Sequence, residues 1–171
     1  MIWIRRLPAP IDAVWQAVST LDGLEAWWIV PPTVFEKRPG GRFVHHWENV
    51  VADFREQEFI DFKENSADYA TTGGMRFELK QDGDATMFMF LDTWGKDMPA
   101  ADGPGNMVVQ PGGLGTPWSG VAAGWHAMVD KLEAVLDGRV FDHTYDDLAD
   151  FYMGYLHDSF RWKAMVQRGD Q

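Results

Sequence analysis

The sequence predicts an α+β fold in which short antiparallel strands lie against one long helix, and three observations carry this. First, residues 119–138, SGVAAGWHAMVDKLEAVLDG, put Val121, Trp125, Met128, Leu132, Val135 and Leu136 at three- and four-residue steps, on one helical face. Second, the preceding chain contains runs that alternate apolar and polar residues with the period of a strand, Met75–Lys80 most cleanly. Third, turn signals punctuate those runs: Pro39-Gly40-Gly41, Gly73-Gly74 and Asp82-Gly83-Asp84.

In chain order, Ile2–Leu7 reads as a strand stopped by Pro8 and Pro10. Asp12 opens a short helix through Val14, Trp15, Ala17 and Val18. A second short helix, Leu21–Trp28, ends before Pro31 and Pro32. Thr33–Lys37 reads as a strand. Arg42–Glu48 reads as the next, with Phe43, His45 and Trp47 on one face and Val44, His46 and Glu48 on the other. Phe54–Phe62 and Ala67–Thr72 follow as strands. In Met75–Lys80, Met75, Phe77 and Leu79 face inward. The last strand, Ala85–Trp94, is apolar on both faces, Phe88 and Phe90 against Met87, Met89 and Leu91, so both faces need cover.

Lys96–Pro117 is a Gly- and Pro-rich connection too long for a plain link, read either as a lid or as an excursion packed on the body. The long helix comes next, with Ser119 as its cap and Gly138 as its terminator. At about 1.5 Å per residue it is roughly 28 Å long, enough to cross a small domain. His126, Asp130, Lys131, Glu133 and Asp137 fall mostly on its solvent side. Beyond it, Leu148, Phe151, Tyr152, Tyr155 and Leu156 recur at helical spacing, which predicts a terminal helix near Tyr145–Gln167. Residues 1–138 are thus expected as one domain. Residues 139–171 are expected as a helical extension, packed on that domain over Met87, Met89 and Leu91 or on a dimer partner.

Composition narrows the function classes. The 171 residues suit one domain with a self-sufficient core. The absence of cysteine excludes disulfides and thiolate chemistry. A formal net charge of -11 argues against nucleic-acid or anionic-membrane partners. No apolar run has the length of a signal core or of a span of roughly 20 residues, so a soluble, cytoplasmic protein is expected. Nine Trp, 11 Phe and 9 Met imply either a crowded core or a core built around an apolar cavity.

The run Ala9-Pro10-Ile11-Asp12-Ala13-Val14-Trp15 carries a resemblance. So do Trp27-Trp28, Gly40-Gly41-Arg42-Phe43, Gly83 with Thr86, and Gly124-Trp125 followed by Leu132 and Leu136. Over about Met1–Gly138 the chain resembles the helix-grip fold of the START-related superfamily, also called SRPBCC. Within it, the chain is similar to homologues of the activator of the heat-shock-protein ATPase. The resemblance implies a curved antiparallel sheet of about six or seven strands wrapped around the long helix, with two short helices after the first strand and an apolar cavity between sheet and helix. It also implies a role drawn from ligand binders, polyketide cyclases and chaperone activators.

The leading expectation is therefore a binding protein for a small apolar molecule, with no cofactor and no metal. Its lining is expected from Phe43, His45, Trp47, Phe77, Phe88 and Phe90 of the sheet and Trp125, Met128 and Leu132 of the helix. An enzyme of the cyclase or hydratase kind, using His45 or Asp92 as acid–base groups, is the first alternative, and an interaction module the second. His45 reads more readily as a satisfied core histidine, and Asp92 as a mostly solvated strand end. His126 and Asp130 have ligand-like spacing, but two groups do not make a zinc site. Ser19, Ser66, Ser119 and Ser159 sit in no nucleophile motif, and Gly112-Gly113-Leu114-Gly115 lacks the strand–turn–helix setting of a phosphate cradle.

Overall fold

The computed structural model describes residues 1–45, 48–64, 73–93, 108–110, 113–115 and 117–141. Along these run β1 (Ile2–Leu7), α1 (Ile11–Ser19), α2 (Leu21–Glu25), β2 (Val34–Phe35), β3 (Arg42–Val44), β4 (Glu48–Arg55), β5 (Phe59–Glu64), β6 (Gly74–Asp82), β7 (Ala85–Thr93), β8 (Val108–Gln110), β9 (Gly113–Gly115) and α3 (Pro117–Leu136). β1 to β7 form one open, curved antiparallel sheet in the order β1-β7-β6-β5-β4-β3-β2, and β8 and β9 pair separately.

The chain divides into two compact units, Met1–Met98 with Met128–Phe141, and Pro99–Ala127 with Asp142–Gln171. The seven-stranded sheet, α1, α2 and the second half of α3 belong to the first. The β8–β9 hairpin and the first half of α3 belong to the second.

Local chemistry explains the two short helices. Pro10 precedes α1 in an extended conformation, without a side-chain cap, and Gln81 Oε1 accepts from the backbone of Ile11 instead, at 3.3 Å. Thr20 then caps α2 by accepting from Gly23 N at 3.0 Å. The indole of Trp27 donates to Ala17 O at 2.9 Å, which locks the α1–α2 corner from inside. α3 begins on Pro117, where a missing N–H costs nothing, rather than on a Ser119 cap. It stops at Gly138, whose φ of +66° is the left-handed terminator conformation.

The sheet departs from the sequence reading in its middle. Arg42–Glu48 is not one strand: β3 ends at Val44, and β4 opens at Glu48 after a reversal. Phe54–Phe62 is not one strand either. It contains the β4–β5 turn at Glu56–Glu58, with Gln57 at φ +60°. The expected α2 reaches Glu25 rather than Trp28, and the Thr33–Lys37 strand shrinks to Val34–Phe35. The Lys96–Pro117 connection contains β8 and β9, which no alternation announced. The strand Ala67–Thr72, Trp47 and the terminal helix near Tyr145–Gln167 lie outside the described residues.

Candidate functional site

Strand alternation and register build one buried face from five strands. Trp3 and Leu7 of β1 pair with Phe90 and Thr86 of β7, and Phe88 and Phe90 pair with Leu79 and Phe77 of β6. Ile60 and Phe62 of β5 pair with Phe77 and Met75. Phe43 of β3 continues the row, fully buried, with its ring 4.5 Å from that of Phe62.

Phe77 is the hub. The rings of Trp27, Trp28, Phe62, Phe88 and Phe90 stand between 5.5 and 6.1 Å from its own. Such contacts contribute about 0.5–1.5 kcal/mol each beyond area burial. Trp3 stacks on Phe90 at 5.4 Å and extends the surface to β1.

At the β3–β4 end the face becomes polar. His45 lies 5.5 Å from the Trp28 ring and 5.3 Å from Phe43. Asn49 opposes Phe43 across the hairpin, is 4% exposed, and donates from Nδ2 to His45 Nε2 at 3.0 Å. An accepting Nε2 puts the ring proton on Nδ1. Beside this pair, Glu48 hydrogen-bonds Arg42 and holds its guanidinium above the ordinary value.

The structure thus brings together Phe43, His45, Phe77, Phe88 and Phe90 among the sequence-predicted lining residues. On α3, Met128 and Leu132 are buried, and Met128 Sδ accepts from Ile29 N at 3.4 Å. Trp125 is also buried; it belongs to the second unit. The sequence reading missed Trp27, Trp28, Phe62 and Asn49. The double tryptophan was visible as a signal, whereas Asn49 had none.

Three expectations need correction. Val135, expected on the buried face, is 41% exposed. Asp130 is not on a solvent face: Arg5 reaches it from β1 at 3.4 Å, and it is half-buried like His126. Asp92 is not a solvated strand end but is buried at 5% exposure on the Phe88 and Phe90 side, because β1 continues alongside it to Met1.

Chemically, this face offers a large aromatic surface with a hydrogen-bonding pair at its margin. Among the described residues no group of three His, Asp or Glu could hold a metal, and no helix is long and apolar enough to cross a membrane.

A family model described as Activator of Hsp90 ATPase homolog 1-like protein matches residues 8–137. No curated protein matches the chain. Among solved structures, the crystal structure of CalU16 from Micromonospora echinospora is 16% identical, with a TM-score of 0.66 over 93% of this chain and 86% of that one. A protein from Bordetella parapertussis is 17% identical, with a TM-score of 0.65 over 91% and 83%. The Aha1 dimer from Colwellia psychrerythraea is 14% identical, with a TM-score of 0.56 over 80% and 94%. At these identities the likeness is one of fold: the helix-grip arrangement of sheet and C-terminal helix.

Proposed function

Since the chain belongs to the activator of Hsp90 ATPase homolog 1-like family, within the helix-grip superfamily, we propose that it binds a small, mostly apolar molecule against the aromatic face of the sheet. The observation that carries this reading is the His45–Asn49 pair. A buried amide orients a half-buried imidazole between Trp28 and Phe43, at the margin of a face otherwise made of rings. An apolar surface with one oriented polar group is the composition of small-molecule sites: burial supplies affinity, and the polar group sets orientation.

Native mass spectrometry of the purified protein beside a denatured control tests the reading. An extra mass lost on denaturation is expected, and that molecule should then rebind. His45→Ala should weaken rebinding by about 10-fold or more, the worth of one lost hydrogen bond in a desolvated site. Unchanged affinity in this variant would overturn the assignment.

A second reading is an interaction module of the chaperone-activator kind. It is favoured by Ile29 and Val30, 52% and 46% exposed directly after Trp28. Ile29→Asp with Val30→Asp should then abolish co-purification of a partner ATPase, and leave small-molecule binding intact.

A further inference from the structure

β1 closes one side of the sheet, and its pairing with β7 determines which of its backbone groups face outward. Met1 and Asp92 exchange both backbone bonds, Met1 N to Asp92 O and Asp92 N to Met1 O. In an antiparallel ladder, doubly bonded pairs recur at every second residue. The pairs that follow are therefore Trp3 with Phe90, Arg5 with Phe88 and Leu7 with Thr86. The N–H and C=O groups of Ile2, Ile4 and Arg6 point the other way. Among the described residues, no strand meets them. Ile4 O accepts from Arg5 Nη1, at 3.2 Å.

These residues also carry their side chains on the outer face of the sheet. Ile2 and Ile4 are 62% and 57% exposed there, beside half-buried Leu91 and Met89. Edge strands are usually blunted by shortness, proline or unpaired charge. β2, at the opposite edge, is two residues long. β1 is six residues long, and its cations are turned to acids of the same chain: Arg6 to Asp82 at 2.7 Å and Asp84 at 3.6 Å, Arg5 to Asp130 at 3.4 Å.

We propose that β1 is the docking strand for a second copy of this chain, paired antiparallel to itself across a two-fold axis at Ile4. This register is selected by hydrogen bonding and charge. With the axis at Ile4, Ile4 meets the partner's Ile4 and Ile2 meets the partner's Arg6, so every outward N–H and C=O of the three residues is paired. An axis at Trp3 leaves Arg6 outside the ladder. An axis at Arg5 sets Ile2 opposite the partner's Pro8, which has no N–H, and Arg5 opposite the partner's Arg5. An axis at Arg6 opposes two arginines directly. In the favoured register the outer apolar strips of both copies merge at Ile4, and Ile2 lies along the aliphatic stem of the partner's Arg6.

The sequence contains no cysteine, so single cysteines report the register. Hydrogen-bonded antiparallel partners stand about 5.5 Å apart at Cα, within disulfide reach. The wild type should sediment at twice the chain mass at high micromolar concentration. Ile4→Cys should form a covalent dimer on oxidation, whereas Ile2→Cys should not, because the partner's Arg6 stands opposite it. Ile4→Lys places two cations at the axis and should weaken self-association by about 100-fold or more. Its circular dichroism spectrum should be unchanged, since the replaced side chain is exposed. A wild type at single chain mass at every concentration would overturn the proposal. So would a dimer indifferent to Ile4→Lys, or Ile2→Cys cross-linking as well as Ile4→Cys.

Discussion

Replacing Gly23 by alanine sets two physical effects against each other. Gly23 sits in the middle of α2, where alanine is favoured over glycine by about 1 kcal/mol on helix propensity alone. Packing opposes this. A Cβ on Gly23 would lie 2.2 Å from Gln16 O, 2.7 Å from Ala17 Cα and 2.8 Å from Ala17 O. All three are backbone atoms of α1, so no side-chain rotation relieves the overlap, and the two helices must move apart. Overpacking of this kind costs about 1–3 kcal/mol. The movement also pulls on Ala17 O, the acceptor of the buried Trp27 indole bond, worth about 1 kcal/mol more. With the middle of the overpacking range, the net expectation is a loss of about 2 kcal/mol. For a chain of this length that is a fall of about 4–8 °C in Tm. Urea unfolding followed by tryptophan fluorescence should show the midpoint falling at unchanged m. A Gly23→Ala variant as stable as wild type or more so would refute the reasoning, because propensity would then outweigh the α1–α2 contact.

Two further substitutions address buried hydroxyls with opposite expectations. Thr86 Oγ1 donates to Ala9 O at 2.8 Å between fully packed neighbours. Thr86→Val keeps the shape, leaves that carbonyl unpaired, and should lower stability by about 1–3 kcal/mol in thermal unfolding; an unchanged Tm would show that the bond contributes nothing net. Ser19 Oγ is buried and, among the described residues, has no partner. Ser19→Ala removes a desolvated polar group from a helix and should raise stability by about 1 kcal/mol; a loss on calorimetry would mean the hydroxyl is held by a bond.

How far the site could be read from sequence depended on how local each signal was. The Phe77, Phe88 and Phe90 face was legible because Met75–Lys80 alternates with a period of two, Phe88 and Phe90 fall on one face of the next strand, and the Asp82-Gly83-Asp84 turn sets their register. The β3–β4 reversal was hidden, because Phe43, His45 and Trp47 alternate across it as though the strand continued. His45 nevertheless lies beside Phe43, brought there at the end of β3. The β4–β5 turn was hidden for the opposite reason: Glu56-Gln57-Glu58 contains no Gly, Pro or Asn, and Gln57 takes a positive φ that its residue type does not announce. With β4 misplaced, Asn49 could not be seen to oppose Phe43.

By itself, then, the sequence determined the fold class, the family resemblance, the long α3 helix with its Gly138 stop and the apolar face of β6 and β7. Each of these is written in spacing along a single element. Tertiary structure alone decided that Trp28, His45 and Asn49 converge at one margin of the aromatic face. It alone turned Asp130 toward Arg5, buried Asp92 beside Met1 and, among the described residues, placed the outward groups of Ile2, Ile4 and Arg6 at the edge of the sheet. The physical reason is common to all of these: strand register and helix docking are set by contacts between residues far apart in the chain. A shift of one residue in either exchanges the buried groups for the exposed ones.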